Sequence, residues 1–254
     1  MTSPGEKFEL LSFATADELA HAAATAWLDE IESAHRAGKI YCVALSGGRG
    51  AQQLFASVVE QAMARTISFA HVHFFWADER CVPPDNSESN FKLASELMFA
   101  PLKIPQKQIH RIRGEDSPEA AVKAAETELR CVIVKANKSI EKDADVPKLD
   151  LILLGMGEDG HVASLFLNAP AEIVHCAASF LVVENSPKPP PRRISLSYAA
   201  IAAARQVWVL ISGAGKTKAL RESLDFSGRT PLGRVIQLRQ KTWIFSQIEV
   251  DKKS

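Results

Sequence analysis

The chain has 254 residues, 46% of them apolar and 24% charged, an ordinary globular composition long enough for one large α/β domain or two small ones. Its 30 basic and 30 acidic residues cancel, so no general pull toward nucleic acid or an anionic membrane is expected, and any bound anion must be held by a local cluster. Cys42, Cys81, Cys131 and Cys176 lie far apart with no C-x-x-C, which signals neither a zinc site nor a disulfide framework and suits reduced thiols in a cytoplasmic protein.

Residues 1–11 contain no basic segment leading into an apolar one, and no apolar run approaches the roughly 18 residues of a membrane span. A soluble chain without a signal peptide is expected. In chain order, residues 8–12 read as a first strand. Thr15 and Glu18 form a capping-box pattern that opens a long Ala-rich helix ending near Gly38. Residues 40–45 read as a strand, followed by Ser46-Gly47-Gly48-Arg49-Gly50 and a helix over about 51–65. A strand at 72–76 empties into Asp78-Glu79-Arg80-Cys81-Val82-Pro83-Pro84. A short helix is expected from Asn90 through Phe99, and Ser117-Pro118 starts another that runs to about Val134.

Residues 138–148 are charged and poor in apolar groups, an exposed connection and the weakest point for a domain boundary. The whole chain, 1–254, nevertheless reads as one domain. Beyond it come apolar strands at 149–154 and 180–183 and a proline-rich turn at 187–191. An extended stretch at 192–197 and a strand at 206–211 follow, then Ser212-Gly213-Ala214-Gly215-Lys216 with a helix, and a last strand at 243–245. Strands alternating with helices predict an α/β fold around a mainly parallel sheet.

The chain is organised around residues 149–166. A short, nearly all-apolar run ends abruptly at Gly155, as a central parallel strand buried on both faces would. Gly157 and Gly160 then allow a sharp turn, and His161 arrives at the carboxyl end of the strand, where open α/β sheets place their ligands. Gly155, Gly157 and Gly160 also spell the dinucleotide fingerprint, with Glu184 at about the expected distance for a ribose contact. Against that reading, Asn168-Ala169-Pro170 interrupts the crossover helix that the fingerprint requires, and Asp159 would face the phosphates with a carboxylate.

Ser46 to Gly50, Asp78 to Arg80, Gly155 to His161 and Gly213 to Lys216 all follow strands, so in a parallel sheet they can converge on one crevice. Each alone has a bland reading: a connector turn, a surface ion pair at Arg80, a solvated Lys216, a wet strand edge at Arg192 and Arg193. His71 and His73 alternate on one strand face and suggest a metal, but no carboxylate is spaced to complete the site.

Together the motifs resemble a known family. Leu45-Ser46-Gly47-Gly48, then Asp78-Glu79-Arg80 with Val82-Pro83 and Ser89-Asn90-Phe91, and then Gly155-x-Gly157-x-Asp159-Gly160-His161-x-Ala163-Ser164-Leu165-Phe166 look like the 6-phosphogluconolactonases. Arg193-Ile194-Ser195-Leu196-Ser197 and Gly213-Ala214-Gly215-Lys216 are similar to the later motifs, and the order agrees from about Leu45 to Leu220. The resemblance implies a Rossmann-like sheet with helices on both faces, shared with glucosamine-6-phosphate deaminase. It also implies hydrolysis of 6-phospho-D-glucono-1,5-lactone in the oxidative pentose phosphate pathway, with no metal or cofactor requirement. The expected partner is thus a small sugar-phosphate lactone, for a monomer or small homo-oligomer.

A lactone is an activated ester, so hydrolysis needs a general base for water and a donor for the developing oxyanion. Neutral His161 is the expected base, Asp159, two residues away, is expected to orient or polarise the loop, and Arg80 is the cation near the ring and carbonyl. Ser46, Gly47, Gly48, Arg49, Arg193 and Lys216 are expected at the phosphate. Ser164, three residues after His161, is a weaker candidate nucleophile if the segment is helical. Arg49 departs from the family, which usually has a hydroxyl residue there; it is expected at the phosphate, in solvent, or paired with Asp159 or Glu79. Leu167 departs from a family proline, a difference confined to local backbone. The nearest rival is a sugar-phosphate isomerase or deaminase, whose Phe-Asn-Glu segment is replaced here by Ser164-Leu165-Phe166. A non-catalytic sugar-phosphate sensor is a further alternative, although it would need an attached DNA-binding module.

Overall fold

The computed structural model describes residues 7–136, 146–225 and 229–250. Most of the charged connection expected at 138–148, and the last residues of the tail, lie outside the described residues.

Six parallel strands form the main sheet in the order β1 (Phe8–Ser12), β9 (Thr242–Ser246), β8 (Gln206–Ile211), β5 (Leu151–Gly155), β2 (Tyr41–Leu45), β3 (Val72–Trp76). Every side chain of β2 is buried, as are all but one of β5 and of β8, which is why these segments read as unbroken apolar runs. Helices cover both faces. α1 (Ala16–Arg36) packs on α2 (Arg49–Arg65), and α6 (Tyr198–Ala203), α7 (Thr217–Leu224) and α8 (Pro231–Leu238) form a second group. The α1 start follows the capping pattern: Thr15 Oγ1 accepts the Glu18 N–H at 3.1 Å, and Glu18 accepts the Ala14 N–H at 3.0 Å.

The connection after β2 runs outward to β3, whereas the chain leaving β5 moves the other way, to β8 and β9. The order therefore reverses between β2 and β5, and a crevice opens at their carboxyl ends.

Two expectations need correction. The segments at 180–183 and 193–196 do not join the parallel sheet. They are β6 (Phe180–Val183) and β7 (Arg193–Leu196), which pair antiparallel in a separate three-stranded sheet. The nine residues between them are too few for the crossover that parallel pairing demands, so a hairpin is the available solution. Asp78–Arg80 is not a turn but β4, the third strand of that small sheet. Ala77 makes the transfer: its N–H bonds to Leu45 of the main sheet and its carbonyl accepts from Leu196 of the small one. The expected helix at 90–99 is α3 (Asn90–Ala94) continued by a π-helical turn, Ser95–Phe99. Among the described residues the remaining α-helices are α4 (Pro118–Ala136) and the single turn α5 (Ala171–Val174).

Candidate active site

The crevice is a cavity of about 800 Å³ at the carboxyl ends of β2 and β5, with one wall from the small sheet. All the residues expected at the site except Asp159 line it directly: Ser46 to Arg49, Arg80, His161, Arg193 and Lys216. Asp159 touches it through His161.

His161 Nδ1 and Asp159 Oδ1 share a short hydrogen bond. A carboxylate only accepts, so the bond fixes the Nδ1–H tautomer and leaves Nε2 as the acceptor. Burial pulls the His161 pKa down, and Asp159 only partly offsets this, so the imidazole is neutral at neutral pH. Burial alone would raise the Asp159 pKa, but the bond and charge of His161 prevail and hold it below its ordinary value. The loop accommodates the pair because residue 157 is glycine: a Cβ there would lie 2.0 Å from His161 Cε1. Phe166 stands against the other side of the imidazole, its ring centroid 4.8 Å away.

No helix follows Gly160. The chain turns back through the Met156–Val162 bridge and a further turn at Val162–Leu165. This corrects the geometry on which a Ser164 nucleophile depended. The Ser164 hydroxyl, 1% exposed, donates to Asp78 Oδ2 at 2.6 Å. It also removes the dinucleotide reading, since no crossover helix aims its N-terminus at the glycines; Glu184 pairs with Arg192 at 3.1 Å on the surface.

The three-residue strand β4 sends Asp78 and Arg80 to the cavity and Glu79 to the other side. Buried Glu79 accepts the N–H groups of Arg80, Asn90 and Phe91, each at 2.8 Å, and so caps α3; burial raises its pKa while these donors oppose the shift. Arg80 donates to the Glu88 carbonyl at 2.5 Å, while its Nε is buried without a protein partner. Sequence reasoning passed over Asp78 and Asn90, although both stand in the quoted motifs. Asn90 Nδ2 donates to the Asp78 carbonyl at 2.8 Å, and its Oδ1 would lie 1.9 Å from a Cβ at Gly47. The alternation of a short strand was the available signal for Asp78.

On the same lining, Gly48 (φ +90°) is the N-cap of α2 and supplies no capping side chain; the first turn holds no acidic residue. The helix starts two residues earlier than expected, so Arg49 is its first residue and not part of the loop. Free N–H groups of a 17-residue helix thus face the cavity. Arg49 is exposed and pairs with neither Asp159 nor Glu79, whose oxygens serve His161 and the α3 cap. Lys216 ends a 3-10 turn before α7; burial lowers its pKa, Arg49 lowers it further, and Glu158 opposes. Ser46 Oγ is buried and unpartnered. Arg193 is 4% exposed and gives Nε and Nη2 to backbone carbonyls of the proline-rich segment, which leaves Nη1 for a ligand.

The metal suggested by His71 and His73 finds no site: among the described residues no three His, Cys, Asp or Glu side chains are grouped to hold an ion. His73 instead bonds His110 at 2.8 Å, and His110 bonds Glu128 at 2.8 Å. Burial, then His110, lowers the His73 pKa to about 4.

A sequence model of the glucosamine-6-phosphate isomerases/6-phosphogluconolactonases matches residues 14–244. The chain belongs to this family. Within the family, it is 35% identical over 217 residues to the 6-phosphogluconolactonase of Mycobacterium tuberculosis, covering 84% of each chain. It is 36% identical over 186 residues to the probable 6-phosphogluconolactonase 3, chloroplastic, of Oryza sativa subsp. indica; the match covers 73% of this chain but only 56% of the rice relative's length. The solved 6-phosphogluconolactonase from Trypanosoma cruzi superposes with a TM-score of 0.81 at 25% identity, covering 96% of each chain. No helix among the described residues is long and apolar enough to cross a membrane.

Proposed function

We propose that this chain hydrolyses 6-phospho-D-glucono-1,5-lactone to 6-phosphogluconate, the reaction of the oxidative pentose phosphate pathway. The observation that carries the reading is a neutral His161 bonded to the Asp159 carboxylate on the lining of a cavity that also holds a helix N-terminus, Arg49 and Lys216. His161 Nε2 takes a proton from water as the oxygen attacks the lactone carbonyl at C1. Asp159 keeps the tautomer and stabilises the imidazolium. Arg80, with its unpartnered Nε, answers the negative charge that develops on the carbonyl oxygen. The ring C1–O5 bond then breaks, and the imidazolium returns the proton to O5, leaving the open carboxylic acid, which releases its remaining proton to solvent. Gly47 and Gly48 N–H groups, Ser46, Arg49, Lys216 and the free Nη1 of Arg193 take the phosphate, whose binding orients the distant carbonyl.

The deaminase alternative needs a carboxylate beyond the Asp-Gly-His block. Positions 164–166 offer a serine turned to Asp78, a buried leucine and a phenylalanine on the imidazole. We also read the chain as one domain, since buried side chains of both sheets join a common apolar cluster. Its free thiols favour the cytoplasm. The test measures lactone disappearance immediately after glucose-6-phosphate oxidation, above the spontaneous rate, beside ammonia release from glucosamine 6-phosphate. Lactone turnover without ammonia is expected; ammonia release without lactone turnover overturns the reading.

A further inference from the structure

The segment 187–191 entered the sequence reading only as a turn, yet it forms a wall of the cavity: Lys188 and Pro189 line it beside Arg193. The backbone of that wall is firmly held. Arg193 donates from Nη2 to the carbonyls of Lys188 (2.9 Å) and Pro189 (3.2 Å), and from Nε to that of Pro190 (3.1 Å). The Ser186 hydroxyl donates to the Lys188 carbonyl at 2.8 Å and accepts the Lys188 N–H at 3.2 Å, while the Ser186 N–H bonds the Pro191 carbonyl at 2.9 Å. A fixed backbone thus presents one exposed cation on a long, flexible stem.

The charge of Lys188 is felt by both His161 and Lys216, which line the same cavity. Burial lowers the pKa of both His161 and Lys216, and the charge of Lys188 lowers both further. Arg49 acts on Lys216 in the same sense, and Glu158 is the carboxylate opposing them. Glu158 Oε1 would lie 2.9 Å from a Cβ at Gly215, against the Lys216 turn. Lys188, Arg49 and Lys216 are three cations against one carboxylate, and Arg193 adds a further positive charge on the same lining, an excess that suits a phosphate monoester of about −1.5 to −2 near neutral pH. A bound phosphate relieves the repulsion among these cations.

We propose that Lys188 is a further phosphate-contacting cation of this site, beside Arg49, Lys216 and Arg193, and that Arg193 also positions it through the wall it holds. The inference rests on the reading of the cavity as a sugar-phosphate site. Lys188→Ala, Lys188→Arg and Arg193→Lys are compared with the wild type on 6-phosphogluconolactone and on unphosphorylated gluconolactone, with 6-phosphogluconate binding by calorimetry as a readout independent of turnover. Lys188→Ala should raise KM for the phosphorylated lactone and Kd for 6-phosphogluconate by about 10- to 100-fold, the range for a hydrogen bond to a charged group, with kcat and the unphosphorylated substrate nearly unchanged. Lys188→Arg should recover most of the binding.

Arg193→Lys keeps the charge but loses the planar fork, so it should weaken phosphate binding strongly in the wild type and by a clearly smaller factor in the Lys188→Ala background, where only its own contact is left to lose. Full additivity would leave Arg193 as a ligand only and remove its positioning role. Unchanged KM and Kd in Lys188→Ala overturn the proposal. Equal losses on both lactones also overturn it, because they put Lys188 at the reacting carbonyl. A wild type that hydrolyses neither lactone defeats the assigned reaction, while calorimetry still decides whether Lys188 holds the phosphate.

Discussion

Gly157→Ala perturbs His161 while leaving every candidate catalytic group in the chain. Gly157 is not among the residues with positive φ, so alanine suits its backbone and the change is steric. The new Cβ would lie 2.0 Å from Cε1 and 2.1 Å from Nδ1 of His161, and 2.7 Å from Asp159 Oδ1. Ordinary contact begins at 3.4 Å, so the imidazole edge must retreat by about 1.4 Å, and a misplacement of about 1 Å at a reacting group costs on the order of 10²-fold. We therefore expect kcat to fall about 10²-fold or more, with KM, set at the phosphate end, changed by less than about 3-fold. Overpacking of this kind costs roughly 1–3 kcal/mol against a total stability of about 5–15 kcal/mol, so the variant should fold. Thermal denaturation checks that point, and lactone hydrolysis with the spontaneous rate subtracted supplies the kinetics. A folded Gly157→Ala protein with near wild-type kcat would refute the claim that the placement of His161 sets the rate.

Because burial holds the His161 pKa below 6.5 and the base must be neutral, kcat/KM should be level above about pH 6.5 and decline on a more acidic limb. Asp159 raises that pKa, so Asp159→Asn should lower the rate and move the limb to still lower pH; a limb that rises in the variant contradicts the assignment. Ser164→Ala loses the bond to Asp78 and with it about 1–3 kcal/mol of stability, but should keep activity within about 10-fold; a loss beyond about 10³-fold would reinstate Ser164 as a nucleophile. Arg49→Ser should raise KM for the phosphorylated lactone and make it less salt-sensitive, since screening acts on the removed charge; a KM unchanged across ionic strength leaves Arg49 in solvent.

Much of this arrangement was legible in the sequence because it follows local rules. The buried central strands announced themselves as apolar runs closed by glycine, and both the Thr15 cap and the proline start of α4 sit where their residue types predict. His161 was legible because a strand ending in closely spaced glycines delivers it to the sheet edge. The second sheet was not legible: three residues of β4 carry no periodicity, and its pairing with β7 depends on a chain transfer at Ala77 more than 110 residues away from its partner. Asp78 and Ser164 escaped for the same reason, since their bond spans 86 residues. Lys188 was hidden by composition, because a lysine among prolines reads as a solvated turn until Arg193 is seen gripping that turn from within.

The central claim is that neutral His161 activates water at the lactone carbonyl while the phosphate is held independently. It is tested most directly by His161→Gln, following lactone loss by rapid NMR and 6-phosphogluconate binding by calorimetry on the same preparation. The account predicts kcat lower by about 10²–10⁴-fold, with product affinity retained. Near wild-type turnover in that variant would contradict it.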